Sequence, residues 1–443
     1  MSLDAAPQAA AEPAARRSPP NFVGFVLTIA VVWLGGQILT QGLSDHFLTS
    51  DPELAVLWRG DSSDAVAALA RRRLATHDRD GAARLAGRAL QLAPLNASAL
   101  TTYGFAMDEL RRQPRADAAM AVAGKLGWRD VLTQLWLFRR MMLVGDFEAA
   151  LNHADALMRR VDIVPAALLA ALAEAAHDPR MQAPLARHLA QSPSWRTPFI
   201  AYLSVFARPP ATDVAHALLT RLASGPTPPT DEELAVYLRS LIGARKFDQA
   251  AQDWRQLTHG ADQDGFVYDG DFERQPGQTP FDWLLGDGVG WTANIADAPG
   301  QGPGAQGPGG QGRGQALRVE YDGVSPPVPV RQMLILPPGA YRLSGLAYDE
   351  GDANPRALVW GMVCATTGQA LGGAATPAAG GRWSAFAVTL EVPTADCPAQ
   401  WLMLSAAPGD LRADITVWYD DIAVAPVATA SGVKPPAPPG INP

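Results

Sequence analysis

The strongest constraint on the fold of this chain is an uncharged apolar run near its amino end. The 18 residues Phe22–Leu39 contain no charged side chain, and only Thr28 and Gln37 are strongly polar. A run of this length is close to the minimum that crosses roughly 30 Å of hydrocarbon. We therefore predict a transmembrane helix over residues 21–43. A cleaved secretory signal is one alternative, although no A-x-A pattern follows the run, and a buried core helix is the other.

The flanking charges predict the orientation of this helix. Arg16 and Arg17 precede the run, whereas no Lys or Arg follows it before Arg59. Because cytoplasmic flanks carry the excess of cations, the amino end is expected in the cytoplasm and the bulk of the chain in the periplasm of a bacterium. The expected location is the inner membrane, with a single span. Residues 1–20 are rich in Ala and Pro and predict a disordered cytoplasmic tail.

Charge and motif content exclude several classes of function. The chain has 36 Lys and Arg against 44 Asp and Glu, a net charge of −8, so it lacks the positive field that nucleic acids require. It contains no P-loop, no H-E-x-x-H, no G-x-S-x-G and no C-x-x-C motif. Its seven histidines are scattered between His46 and His259 without metal-ligand spacing. We therefore predict no nucleic-acid partner and no enzyme activity.

Residues 61–259 carry a repeated helical pattern. Ala/Leu/Arg-rich stretches have apolar residues at helical spacing, and a small residue is followed seven positions later by a second small or apolar one. The first members of these pairs follow one another at steps of 36, 31, 33, 32 and 35 residues. They are Ala83, Ala119, Ala150, Ala183, Ala215 and Ala250. A period near 34 is typical of tetratricopeptide repeats.

Three segments strengthen this resemblance. Residues Gly81–Ala97 resemble the end of a tetratricopeptide repeat, and Gly145–Ala150 and Lys246–Ala251 resemble the starts of its second helices. The resemblance implies an α-solenoid over residues 61–259 that holds protein partners. A generic helical array or bundle is the alternative. Arg71–Arg73 is predicted to be a solvated face, with a docking contact as the other reading.

After residue 260 the pattern changes to short alternating runs between Gly, Pro and Asp, typical of strands. We predict an antiparallel β-sandwich of jelly-roll type over residues 261–425, and an α+β multidomain chain as a whole. The Gly/Pro-rich residues 297–314 predict a flexible loop, and residues 426–443 a disordered Pro-rich tail. The predicted strands are Gln315–Tyr321, Val328–Leu336, Tyr341–Tyr348, Ala357–Ala365, Ser384–Val392, Gln400–Ser405 and Ile415–Val424.

Both ends of this region resemble galactose-binding-like jelly rolls and carbohydrate-binding modules. Tyr268–Glu273 (YDGDFE) and Val417–Val424 (VWYDDIAV) resemble their first and last strands. In that family, acidic groups of these strands meet at a structural calcium ion, and the resemblance implies Asp271, Glu273 and Asp421 as ligands. Ordinary turn and edge carboxylates are the alternative. Apart from this calcium, no cofactor is expected.

Half of the twelve tryptophans lie in this region, and indole faces stack well on sugar rings. Three lie inside apolar strands and are predicted to be core: Trp360, Trp401 and Trp418. Three adjoin Gly- and Asp-rich loops and are candidates for a ligand face: Trp283, Trp291 and Trp383.

The only two cysteines are Cys364 and Cys397, 33 residues apart. In an oxidising compartment we predict a disulfide between them, which would contribute about 3–4 kcal/mol on the entropic view. Two buried thiols are the alternative.

These features lead to three hypotheses about function. The first is a non-catalytic, membrane-anchored scaffold for assembly or export of a cell-surface polysaccharide, with protein partners on the repeats and glycan on the sandwich. The second is an assembly factor of another envelope system, in which the sandwich binds only proteins. The third is a glycan-active enzyme that uses a pair of carboxylates.

Overall fold

The computed structural model describes residues 22–159, 166–206, 211–258, 265–299, 314–324, 330–350, 357–406 and 414–427. The tail 1–20, most of the loop 297–314 and nearly all of the tail 426–443 lie outside the described residues. The chain divides into two compact units at residues 160 and 161. The first unit contains helices α1–α8, and the second contains α9–α14 and both sheets.

The first unit opens with one long apolar helix. Among the described residues, α1 is the one helix that is long and apolar enough to cross a membrane, and its large apolar side chains are exposed. The helices of this unit are α1 (Phe22–Ser50), α2 (Pro52–Trp58), α3 (Ser63–Ala75), α4 (Arg79–Leu92), α5 (Ala97–Glu109), α6 (Gln113–Leu126), α7 (Val131–Val144) and α8 (Phe147–Met158).

Helices α3–α8 form three helical hairpins. Their second helices begin at Arg79, Gln113 and Phe147, 34 residues apart. Side-chain caps start several of them: the carboxylates of Asp78 and Asp146, for example, accept from backbone N–H groups three residues on. Alanines pack the crossings because a small side chain lets helix backbones approach closely. The fully buried examples on second helices are Ala82, Ala86, Ala89, Ala116, Ala150 and Ala154.

The cations predicted as a solvated face are partly paired. Arg72 reaches Asp51 at 3.2 Å and Arg73 reaches Glu53 at 3.1 Å, so both connect α3 to the start of α2. Arg71 is exposed.

The second unit begins with six more helices, in which α11 packs on α9, α12 and α13. A buried ion pair joins α11 to α13, with Arg196 Nη2 2.8 Å from Glu233 Oε2. Glu233 also closes a capping box with Thr230 at the start of α13. The helices are α9 (Ala166–Ala175), α10 (Pro179–Leu189), α11 (Arg196–Val205), α12 (Ala211–Ala223), α13 (Asp231–Gly243) and α14 (Phe247–Leu257). Together with the first unit, they confirm the predicted tetratricopeptide-like α-solenoid.

Two antiparallel sheets follow and confirm the predicted β-sandwich. One has five strands in the order β1-β2-β9-β4-β7, and the other has four in the order β3-β8-β5-β6. The strands are β1 (Trp291–Asp297), β2 (Gln315–Tyr321), β3 (Val330–Leu334), β4 (Gly339–Asp349), β5 (Leu358–Cys364), β6 (Ala370–Ala375), β7 (Ser384–Val392), β8 (Gln400–Ala406) and β9 (Ile415–Pro426).

The last helix packs directly on the sandwich. The indole Nε1 of Trp254 in α14 donates to Thr279 Oγ1 at 2.8 Å, and its ring lies 5.0 Å from that of Tyr268 and 5.9 Å from that of Phe281. The buried amide of Gln332 in β3 in turn bonds both the N–H and the carbonyl of Tyr268. Helices and sandwich are therefore joined through a buried aromatic contact.

A disulfide closes one edge of the sandwich core. Cys364 ends β5 and Cys397 precedes β8, and they are joined with their Cα atoms 5.3 Å apart. Both side chains are buried. The bond therefore connects two strands that already pair in the four-stranded sheet.

Candidate functional site

A row of aromatic side chains crosses the outer surface of the five-stranded sheet. Trp418 lies between the core residues Val417 and Tyr419, so its side chain points to the opposite, outer face of β9. The strand register places Trp418 opposite Arg318 in β2 and opposite Tyr348 in β4. The ring of Trp383, which directly precedes β7, lies 5.7 Å from that of Tyr348. We call Trp418, Tyr348 and Trp383 the aromatic face.

Hydrogen bonds hold the outer end of this row in place. Asp349, next to Tyr348, accepts from the backbone N–H groups of Ala379 and Gly380 and so fixes the turn that leads to Trp383. The indole N–H of Trp383 donates to the carbonyl of Pro299 at 3.2 Å. The rings are therefore positioned before any ligand arrives, which lowers the entropic cost of binding.

Polar groups border the other end of the row. The Arg318 guanidinium lies 5.6 Å from the centre of the Trp418 ring and pairs with Glu320 at 2.6 Å. The neighbouring position on β1 is Asn294, which is exposed. An apolar platform with a few polar groups at its border is the usual chemistry of a site that orients a small ligand.

Trp418 has an unused hydrogen-bond donor. Its side chain is only 8% exposed, and it packs against the small side chains of Ala298 and Ala316. Its Nε1 has no hydrogen-bond partner among the described residues. A buried donor of this kind is costly, and the atom is enclosed, so a ligand that stacks on the accessible rings would not reach it.

The structure corrects the prediction for two of the three ligand-face tryptophans. Trp283 and Trp291 are 0% and 2% exposed and belong to the sandwich core. Trp283 packs against Phe272 and Trp360, and its Nε1 donates to the carbonyl of Asp269 at 2.9 Å. The loops beside them had suggested exposure, but the chain before β1 runs across the core. Trp383 alone lies on an accessible face, half-buried.

Of the three tryptophans predicted to be core, one lies between the sheets and two lie on outer faces. Trp360 is fully buried, as expected, and Trp418 is largely buried on the outer side of its sheet. Trp401 is half-buried on the outer surface of the four-stranded sheet, and the Arg331 guanidinium stacks 4.5 Å from its ring centre. The two sheets thus each present one partly accessible tryptophan, Trp383 and Trp401.

The first and last segments of the sandwich lie side by side, but Tyr268–Glu273 forms bends and a turn instead of the predicted first strand, because Asp269 and Phe272 have left-handed φ angles of 48° and 53°. The N–H of Ile422 donates to the carbonyl of Gly270 at 2.8 Å. The carboxylate of Glu273, however, accepts from the backbone N–H groups of Gly314 and Gln315 at 3.2 and 3.0 Å. Asp421 lies within the irregular step in the pairing of β9 with β4, between the paired residues Asp420 and Ala423, and has a left-handed φ of 52°.

Asp271 lies in a second group of carboxylates. Burial raises the pKa of Asp269 to about 7; the charges of Asp271 and Asp282 add to the rise, and the backbone N–H of Arg274 opposes it. Calcium needs six to eight oxygen ligands. No three His, Cys, Asp or Glu side chains gather as a metal site within the described part of the chain. The calcium site with Asp271, Glu273 and Asp421 stays a prediction.

Helix α7 presents an exposed apolar stripe in the first unit. Leu132, Leu135 and Leu143 are exposed on the outer side of this helix, and Trp128 is exposed just before it. Trp128 stacks on His153 of α8, with ring centres 5.7 Å apart. The stripe is a candidate surface for a protein partner.

No family model matches this chain, and no curated protein matches it. Solved structures resemble parts of it. One is the tetratricopeptide-like pilF of Pseudomonas aeruginosa, 18% identical over 52% of this chain and 90% of that chain, with a TM-score of 0.28. A putative sugar-binding protein of Bacteroides thetaiotaomicron is 10% identical over 37% of this chain and 100% of that chain, with a TM-score of 0.28.

A third similar structure is TmCBM61, which was solved in complex with β-1,4-galactotriose. It is 16% identical over 37% of this chain and 100% of that chain, with a TM-score of 0.25.

Proposed function

We propose that this chain is a non-catalytic scaffold, anchored in the inner membrane, whose sandwich binds glycan at the aromatic face and whose helical hairpins hold protein partners. The observation that carries the proposal is the row of Trp418, Tyr348 and Trp383, bordered by Arg318. Rings of this kind stack on the C–H faces of sugars, and the Arg318 guanidinium at the border of the face can donate to sugar oxygens. We propose further that the chain serves in assembly or export of a cell-surface polysaccharide.

Retention of α1 as an anchor is supported by its continuity with the folded chain. The helix runs without a break from the apolar run to Ser50. Ser44 is buried, and its hydroxyl donates to the carbonyl of Ala55 in α2. Cleavage near residue 43 would cut a helix that packs on α2 and α3. With Arg16 and Arg17 on the cytoplasmic side, the bulk lies in the periplasm, where Cys364 and Cys397 stay oxidised.

The glycan proposal is tested with the full chain in detergent. Affinity electrophoresis through gels that contain neutral or acidic soluble polysaccharides compares wild type with Trp383→Ala. We expect retardation by at least one polysaccharide, and an affinity about tenfold lower in the variant, as for an aromatic hot spot. Trp401→Ala is the matched control, because Trp401 is also half-buried but lies on the other sheet. Equal retardation of all three proteins, or of none, would contradict the proposal.

A second candidate function is protein docking by the sandwich, and one observation favours it. The outer surface of the four-stranded sheet is apolar, with Val359, Val363 and Met403 partly exposed around Trp401. Pull-down of envelope proteins that is lost in Trp401→Ala, without retardation by any polysaccharide, would support this function instead.

A further inference from the structure

Helix α2 exposes an apolar face at its carboxyl end. Leu54, Leu57 and Trp58 occupy positions i, i+3 and i+4 and therefore lie on one side of this helix. Leu57 is 79% exposed and Trp58 is 44% exposed. The opposite side is packed, since Ala55 is fully buried.

Helix α2 runs back along α1. Asp51 forms the turn between them, with its N–H donating to the carbonyl of Phe47. The hydroxyl of Ser44 then donates to the carbonyl of Ala55, and the Arg59 guanidinium donates to Gln41 Oε1 at 2.8 Å. As α2 advances from Asp51 to Arg59, its contacts on α1 therefore move from Phe47 to Gln41, toward the apolar run.

Because α2 runs back along α1, Leu57 and Trp58 lie level with the end of the apolar run. Gln41 lies two residues beyond Leu39, which is about 3 Å at 1.5 Å per helical residue. Arg59 contacts Gln41, so the two residues before it lie at the end of the segment that spans the bilayer. Tryptophan is favoured at this boundary because its ring is apolar and its N–H is polar. An arginine there keeps its charge among lipid headgroups.

The position of α2 is fixed from the other side as well. Arg72 and Arg73 of α3 pair with Asp51 and Glu53 at the start of α2. Helix α2 packs on both α1 and α3. Because α2 is packed in this way, a contact between its exposed face and the bilayer would fix the position of the hairpin α3–α4 relative to the membrane.

We propose that Leu54, Leu57 and Trp58 insert into the interfacial layer of the same phospholipid bilayer that α1 spans, and give the helical array a second membrane contact. The occupant of this face is phospholipid, since the face is continuous with the membrane-spanning helix. This inference rests on the proposed anchoring by α1. Its consequence is that the array has a set orientation at the membrane surface.

The test is fluorescence quenching in vesicles of phosphatidylethanolamine and phosphatidylglycerol, with part of the lipid carrying a nitroxide near the glycerol end of the acyl chain. Full-length Leu57→Cys is labelled with an environment-sensitive fluorophore; the native cysteines form a disulfide and do not react. Leu143→Cys is the matched control, because Leu143 is 77% exposed and lies on α7, two hairpins along the chain from α1.

We expect the label at position 57 to lose most of its fluorescence and that at 143 to keep it. Equal, weak quenching at both positions would overturn the inference. Labelled Val32→Cys, in the middle of α1, separates this result from failure of the anchor. If lipid with a deep nitroxide quenches at position 32 but the label at 57 stays bright, α1 is inserted and only the contact of α2 is refuted. If position 32 is not quenched either, both proposals fail.

Discussion

The helical hairpins and the sandwich fill their cores with different residue types, small alanines in the hairpins and large aromatic residues in the sandwich. In α4, α6 and α8 most of the fully buried side chains are alanines. In the sandwich one aromatic cluster fills the centre, where Trp360 lies 5.7 Å from Trp283 and 5.6 Å from Tyr419. The difference teaches that stability is distributed among many small contacts in the array and concentrated in a few large side chains in the sandwich.

The comparison predicts the largest loss for Trp360→Ala. Its side chain is completely buried, so truncation leaves a cavity and should lower the free energy of unfolding by about 3–5 kcal/mol. Denaturant unfolding followed by hydrogen exchange of sandwich peptides measures this loss. Trp401→Ala removes the same atoms from the outer surface and should lower the free energy of unfolding much less. An equal loss in both variants would contradict the view that a few large core side chains supply most of the stability of the sandwich.

Reduction of the disulfide should affect only the sandwich. Loss of the Cys364–Cys397 bond is expected to lower the stability of the sandwich by about 3–4 kcal/mol on the entropic view of a loop of this length. Hydrogen exchange with and without reductant is the measurement. Peptides from α3–α8 serve as the internal control, since the sequence has no other cysteine. Faster exchange in both regions alike would contradict the assignment.

Replacing a buried alanine by a larger residue should destabilise the helical hairpin that contains it. Ala86→Leu places extra atoms where α4 packs closely, and overpacking of this kind costs about 1–3 kcal/mol. Arg84→Leu is the control, because Arg84 is exposed on the same helix. Thermal unfolding of the two variants compares them, and an Ala86→Leu variant as stable as Arg84→Leu would show that this crossing has room.

A small pH effect is expected in the first unit, opposite in sign to that of Asp269 in the second unit, whose raised pKa makes stability fall as the pH rises toward 7. Burial lowers the pKa of His153 below its ordinary value of 6.5, and Asp146 partly opposes this. As the pH falls through 6.5, the unfolded chain takes up a proton before the folded one does, so the free energy of unfolding decreases. His153→Asn should flatten this dependence.

The measurement is the difference in melting temperature between wild type and His153→Asn from about pH 7.5 to pH 5.5, the range in which histidine titrates, because the contribution of Asp269 cancels in this difference. His77→Asn is the control, because His77 is exposed on the same unit. A wild-type slope that survives in His153→Asn would assign the effect to another group.

The sequence predicted the array well because its signal is periodic. The interval near 34 residues is kept in the helix starts, although Ala83, the first residue of the repeated pattern, is only half-buried, whereas Ala82, Ala86 and Ala89 are fully buried. Strand β6 was missed, since its sequence ALGGAA has neither alternation nor β-branched residues and becomes a strand only by pairing with β5.

The candidate site was only partly predictable. Trp383 was identified from its loop, but Trp418 was assigned to the core because its strand is apolar. Its position between Val417 and Tyr419 would have predicted an outward-facing side chain, since alternate residues of a strand face opposite sides. Trp283 and Trp291 had no such signal, because their burial depends on how the chain before β1 crosses the sandwich.

The contact of Trp254 with Thr279, Tyr268 and Phe281 limits how the sandwich can be used as a portable module. A fragment that begins at residue 261 loses the indole that covers Tyr268 and Phe281 and leaves Thr279 without its donor. Such a fragment would carry a freshly uncovered aromatic surface and tend to self-associate. Recombinant fragments for binding assays should therefore retain α13 and α14, so that Trp254 continues to cover Tyr268 and Phe281.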